Sequence, residues 1–179
     1  MRIRDWYFQG WERRTDDNGK AVFVYTGEHY TFPAGLKNVR SVCAPLALAV
    51  IAAYAVLALN PSPGGMWHIA AIPQLLELIP LIYMVMGLVK LLTVKEPLTY
   101  RDWYASWRRL GTAAVGSAVL TACMVLAELV YMVMYARGAV GPELPFFLPE
   151  LGCFALSFAL ADYIRRHPCE QSAPQTDKE

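Results

Sequence analysis

Charge is scarce in this chain: 17% of its 179 residues are Asp, Glu, Lys or Arg, against 56% hydrophobic residues. An ordinary globular domain does not solvate itself on that balance, which points to a membrane-embedded chain. Thiols and imidazoles are few as well. The cysteines, Cys43, Cys123, Cys153 and Cys169, include no Cys-x-x-Cys pair, so neither a disulfide framework nor a thiolate metal site is expected. There is no phosphate-binding loop, no Gly-x-Ser-x-Gly elbow and no His-Glu-x-x-His, and soluble-type catalysis has no residues to rest on. We expect no catalytic residue, no metal and no cofactor. A net charge of +1 offers no basic excess for nucleic acid. The first apolar run follows about forty residues carrying both signs of charge, so it reads as a span rather than a cleavable signal.

What the chain does have is apolar rods. Residues 112–135 carry one formal charge, Glu128. At about 1.5 Å per residue they reach roughly 36 Å, enough to cross a hydrocarbon core of about 30 Å. Similar runs predict further spans over 42–59, 68–92 and 146–164. The expected fold class is therefore an all-α integral membrane protein, a four-transmembrane-helix bundle occupying residues 38–166. Pro73 and Pro80 predict kinks in the second span. Between the second and third spans, Thr99 and Asp102 have the spacing of a capping box. An interfacial amphipathic helix is expected there, over 99–110, with Trp103 and Trp107 on one face and Arg101, Arg108 and Arg109 available to lipid headgroups.

Outside the rods, residues 1–37 have strand character. Asn18-Gly19 is a preferred hairpin turn, which would pair Thr15 with Val22, Arg13 with Val24 and Trp11 with Thr26. Glu28 to Phe32 reads as a short third strand. Trp6, Tyr7, Phe8, Phe23 and Tyr25 are expected to rest on the membrane interface or the helix ends, forming an N-terminal β-hairpin apron. Residues 167–179 are polar and read as a disordered tail. Cys169, beside the last span, is a candidate for a lipid chain. Of the 16 Lys and Arg residues, Arg137 alone falls in the first or third connection. The positive-inside rule then places both termini in the cytoplasm of a multi-pass cell-membrane protein.

Four acids fall in or near the spans: Glu77, Glu128, Glu150 and Asp162. Asp162 is one turn from Arg165 and Arg166 and reads as a local ion pair. Glu150 falls in a first helical turn if that helix begins at Pro149, a position where the helix dipole favours a carboxylate. Glu77 and Glu128 are expected at similar depth, facing inward and toward each other, because a charge at that depth costs about 2 to 3 kcal/mol. Helical spacing sets Ser117, Thr121, Glu128, Tyr131 and Tyr135 on one stripe, Gln74 near Glu77, and Glu150, Cys153 and Ser157 on one face. No Lys or Arg accompanies the two acids at their depth, and the nearest basic candidates, His68 and Arg137, belong to the rim. The two acids either hold a proton or a cation, or simply bond to each other and to carbonyls freed by Pro80.

Two functional readings follow. The first is a non-enzymatic membrane subunit or scaffold, with a homodimer or membrane-protein partner met through small-residue ridges such as Ala114, Ala118 and Ala122 or through the hairpin. The second is a small proton- or cation-binding carrier or sensor that uses Glu77 and Glu128, with Gln74, Thr121, Tyr131, Glu150 and Ser157 as candidate companions.

Overall fold

The computed structural model describes residues 10–15, 21–60, 62–135 and 141–172. Four helical rods in it, of 24, 26, 35 and 23 residues, are long and apolar enough to cross a membrane. The first is α1, Leu36–Leu59. It starts six residues before the expected boundary, because its opening turn is polar in sequence yet held from outside: the Glu96 carboxylate accepts from Phe32 N at 3.0 Å and Leu36 N at 3.5 Å. These are amides that the helix itself cannot satisfy. Arg40 reciprocates, donating from Nε to Leu91 O at 2.9 Å and from Nη2 to Val94 O, the free carbonyls at the end of the second rod.

That second rod is two helices, α2 (His68–Leu76) and α3 (Leu78–Thr93). Of the two expected interruptions, the one at Pro80 shows as a break at Glu77, whereas the helix runs on past Pro73 to Leu76. Pro80 has no amide to donate and its ring crowds the carbonyl four residues back, at Leu76, so the regular ladder fails just there. The helix resumes with Leu81 N donating to Glu77 O at 3.1 Å.

The third rod corrects an expectation. Residues 99–110 do not form a separate interfacial helix: α4 (Tyr100–Trp103) passes through a π-helical turn, Tyr104–Arg108, directly into α5 (Arg109–Met134). Thr99 caps the start, accepting from Asp102 N at 3.2 Å. Charges such as Arg101 and Arg108 interrupt the apolar run here, but charge does not stop a helix, and no proline intervenes before Met134. The extra residue of the π turn leaves Ser106 and Trp107 buried. Beside it α3 passes so close that a Cβ on Gly87 would meet Leu110 N at 3.0 Å. The fourth rod is α6, Leu144–Arg166.

Strands gather where α1 begins and α3 and α6 end. β1 (Trp11–Thr15) and β2 (Ala21–Tyr25) form the expected hairpin in a different register, with Trp11 opposite Tyr25 and Thr15 opposite Ala21. A two-residue loop centred on Asn18-Gly19 requires Thr15 opposite Val22. The observed register leaves an odd number of connecting residues, and that slip exchanges the faces of one strand relative to the other. β3 (His29–Thr31) does not extend this hairpin. It lies between β4 (Leu98–Thr99) and β5 (Glu170–Ser172), antiparallel to both. The segment after α6, read as a disordered tail, thus supplies a strand. The hairpin tip at Asn18-Gly19, the aromatic residues Trp6, Tyr7 and Phe8, Arg137 and residues 173–179 lie outside the described residues.

Inside the bundle the two halves differ. Next to the sheet the interior is apolar, with Val39, Cys43, Leu88, Leu91, Leu110, Ala114 and Leu160 in one buried cluster. Each helix repeats its inward face every three or four residues, as a 3.6-residue period requires. On α5 that face runs Leu110, Ala114, Ser117, Thr121, Met124 and Glu128; on α6 it runs Phe146, Glu150, Cys153, Ser157 and Leu160. Both faces change from apolar to polar at Ser117 and Ser157, and stay mixed toward the far end.

Candidate functional site

The polar half is built around Glu77, Glu128 and Glu150, each with 0% of its surface exposed. Glu77 sits at the break between α2 and α3, where the chain turns its side chain into the bundle. Its Oε1 accepts a hydrogen bond from Ser117 Oγ of α5. Ser117 Oγ is in turn 2.8 Å from Ser157 Oγ of α6. A hydroxyl has one proton. With Ser117 donating to Glu77, Ser157 donates to Ser117; if Glu77 carries a proton, the order can reverse. The three residues form a short relay across three helices.

Glu128 and Glu150 have no such partners. Neither oxygen of either carboxyl, nor Oε2 of Glu77, has a hydrogen-bond donor among the described residues. Leaving a buried polar group unmet costs about 1–3 kcal/mol, and more if it is charged. The Glu143 carboxyl lies within hydrogen-bonding reach of Glu128, a contact two carboxyls can make only if one of them carries a proton, and Glu128 in turn acts electrostatically on Glu150. Every described Lys or Arg side chain belongs to the opposite end of the bundle, beside the sheet.

Glu143 is the functional candidate that sequence reasoning missed. It precedes the first residue of α6, is 3% exposed, and its Oε2 accepts from Gly64 N at 3.2 Å. The connection between α1 and α2 therefore folds down onto the acids instead of looping away. A signal was present in Gly64-Gly65, since adjacent glycines mark close backbone approach. The start of α6 was set too late for Glu143 to be counted.

This inward turn also corrects the depths. Gly64 lies against the Glu128 carboxyl, nearly two helical turns short of the end of α5, so α2 starts inside the bundle and carries Glu77 deeper than expected. Glu77 reaches Ser117, eleven residues before Glu128 on the same helix, a rise of about 16 Å. The two acids do not face each other as a pair. They are separate members of a file that runs from Glu143 at its outer end through Glu128, Glu150, Cys153, Ser157 and Ser117 to Glu77 at its inner end.

The other sequence-selected residues fall as follows. Thr121 is buried but donates to Ser117 O of its own helix at 2.7 Å. Gln74 takes part through its backbone carbonyl, which accepts from Tyr54 Oη at 2.7 Å. Tyr131 belongs to a rim cluster, with ring centroids 5.7 Å from Tyr135 and 6.0 Å from Trp67. Asp162 pairs with Arg165 at 3.0 Å and Arg166 at 2.7 Å. Of the residues assigned to headgroups, Trp103 stacks on Tyr30 at 4.7 Å and Trp107 packs its edge against Phe32 at 4.9 Å, so both tryptophans hold the sheet to the helices. Arg108 lies over the Trp103 and Tyr104 rings at 5.9 and 5.1 Å, Arg109 lies over Tyr83 at 5.7 Å, and Arg101 is exposed. Cys169 packs against the main core. Burial pushes its thiol up to about 12, with Trp103 hydrogen-bonded to it in partial opposition.

No three His, Cys, Asp or Glu side chains among the described residues converge as metal ligands. The grooves of about 580 and 500 Å³ on the outer surface of α5 include none of the glutamates in the file. The arrangement is suited to holding and passing protons, which need no cavity. Compared with family models, with characterised proteins and with solved structures, the chain matches none.

Proposed function

We infer that this chain is a multi-pass membrane protein whose buried glutamates bind protons, serving as a small proton-linked sensor or carrier. One observation carries the reading: five carboxylate oxygens of three fully buried glutamates lack a donor among the described residues. Neutral carboxyls are compatible with that site; several bare negative charges in a low-dielectric interior are not. The basic end, by the charge asymmetry, faces the cytoplasm of a cell membrane, and the acidic file opens outward.

Thermal melting of the purified protein from about pH 5 to about pH 9 tests the reading. Protons held by the folded state and released on unfolding make stability fall as pH rises. The melting temperature is expected to drop across that range in the wild type and to flatten in the triple variant Glu77→Gln, Glu128→Gln, Glu150→Gln. A response identical in both proteins contradicts the proposal.

A subunit or scaffold role has its own supporting observation. Phe23 of the β1–β2 hairpin is 57% exposed and Trp11 38%, leaving two aromatic surfaces for a partner. Phe23→Glu abolishes association on that reading and leaves proton binding untouched. Co-purification of the variant and wild type separates the two.

A further inference from the structure

The acid file has a closed inner end and a covered outer one. Beyond Ser117, Ser157 and Glu77 the interior toward the sheet is the cluster around Met84, Leu88, Leu110 and Leu160, and among the described residues no side-chain hydrogen bond carries the relay on into it. Access therefore lies at the opposite end, where, among the described residues, the turn 62–67 lies over the Glu128 carboxyl.

That turn is pressed onto the site by specific contacts. Gly64 N donates to Glu143 Oε2 at 3.2 Å, and Gly65 N donates to Ser62 Oγ at 2.9 Å. A Cβ on Gly64 would come within 2.7 Å of Glu128 Cδ, and one on Gly65 within 2.9 Å of Phe146 Cε1. Neither glycine has positive φ, so what requires glycine here is close approach and not an unusual backbone. The turn has room for its own backbone and nothing more. Pro63 and Met66 on its outer side are exposed, whereas Ser62, Gly64 and Gly65 are buried.

Building on the proton-binding reading above, we propose that Glu143 is the entrance carboxylate of the file and that the turn 62–67 is its lid. The hydrogen bond from Gly64 N is strongest to an ionised Glu143, because a charged acceptor binds an amide about twice as tightly as a neutral one. When Glu143 takes a proton from water, its hold on Gly64 weakens and the lid lifts. The O–H bond at Glu143 then breaks as one forms on an oxygen of Glu128, and the negative charge returns to Glu143, which recaptures Gly64. Glu128 passes the proton on to Glu150 in the same way. The titratable groups facing this path are Glu150 and Cys153 on α6, Glu77 at the α2–α3 break, Tyr54 on α1, and His68, exposed at the start of α2. None of the described basic side chains of Lys or Arg reaches it.

A pH-jump experiment on the full chain in detergent tests the assignment, with an indicator dye reporting proton uptake in both rate and amplitude. Glu143→Gln leaves Gly64 N only a neutral acceptor and so loosens the lid, but it removes the group that hands the proton to Glu128. With that transfer now limiting, uptake is expected to slow by about a hundredfold, the lower range for losing a positioned proton donor, while keeping the amplitude owed to Glu77, Glu128 and Glu150. Ser62→Ala, which frees Gly65 N, is expected to speed it. Opposite directions from two substitutions on the same lid are not produced by a general loss of folding. Wild-type uptake with rates unchanged in both variants overturns the lid and leaves the proton-binding reading standing. No uptake in the wild type overturns that reading and the lid together.

Discussion

Acids at the two ends of the bundle are handled in opposite ways. Beside the sheet, Asp102 lies 2.7 Å from the Lys90 ammonium and Asp162 is held by two arginines, while the interior just behind them is apolar apart from Ser106, whose hydroxyl donates to Asp102 O. At the other end Glu77, Glu128 and Glu150 lie in the interior itself, with no cation beside them among the described residues. The first arrangement needs no explanation beyond solubility and helix-end chemistry. The second runs against stability, whereas Ala114 and Ala118 of α5 and Leu160 of α6 are buried without any such cost. Unfavourable buried polar groups of this kind are retained where they serve a function.

The sharpest way to test that contrast is to move an acid across the boundary. Met84→Glu places a carboxyl in the apolar half, where Met84 is 0% exposed, and is expected to cost about 4 kcal/mol, within the range for burying an unpaired polar group. The yield of monodisperse protein and its melting temperature measure this. The reverse change, Glu150→Leu, makes the acidic half resemble the other. It is expected to stabilise the fold by about 1–3 kcal/mol, the penalty of an unmet buried group, while lowering proton uptake. Stability lost in Glu150→Leu would mean the carboxyl is structural. A smaller loss, about 1 kcal/mol, is expected from Glu96→Ala, which removes the acceptor for Phe32 N and Leu36 N at the start of α1; chemical denaturation reads it. The smallest effect is kinetic. Because the Cys169 thiol is pushed up to about 12, almost none is thiolate near neutral pH, and maleimide labelling of the folded protein is expected to be slow at Cys169 and to rise on denaturation.

The helical rods were legible in sequence because long apolar runs leave the backbone one way to satisfy itself in lipid. Inward-facing Glu128, Glu150 and Ser157 were legible from helical spacing. The hidden parts depend on contacts between distant segments. Glu96 caps a helix sixty residues earlier, β3 finds its partners in two remote strands, and the inward turn at Gly64 resets the depth of Glu77. A charged stretch such as Arg101 to Arg109 marks where hydrocarbon ends, yet it says nothing about where a helix ends, so the interfacial helix was drawn separately from α5. Glu143 escaped for a related reason: its role exists only once Gly64 is folded onto it.

Infrared difference spectroscopy at about pH 7 addresses the central claim most directly, because a protonated buried carboxyl has its own C=O stretch, separate from the bands of carboxylates. The account predicts that band in the wild type, moved by deuterium exchange and diminished in Glu128→Gln and Glu150→Gln. A spectrum in which every glutamate is ionised at that pH, with the protein folded, contradicts it.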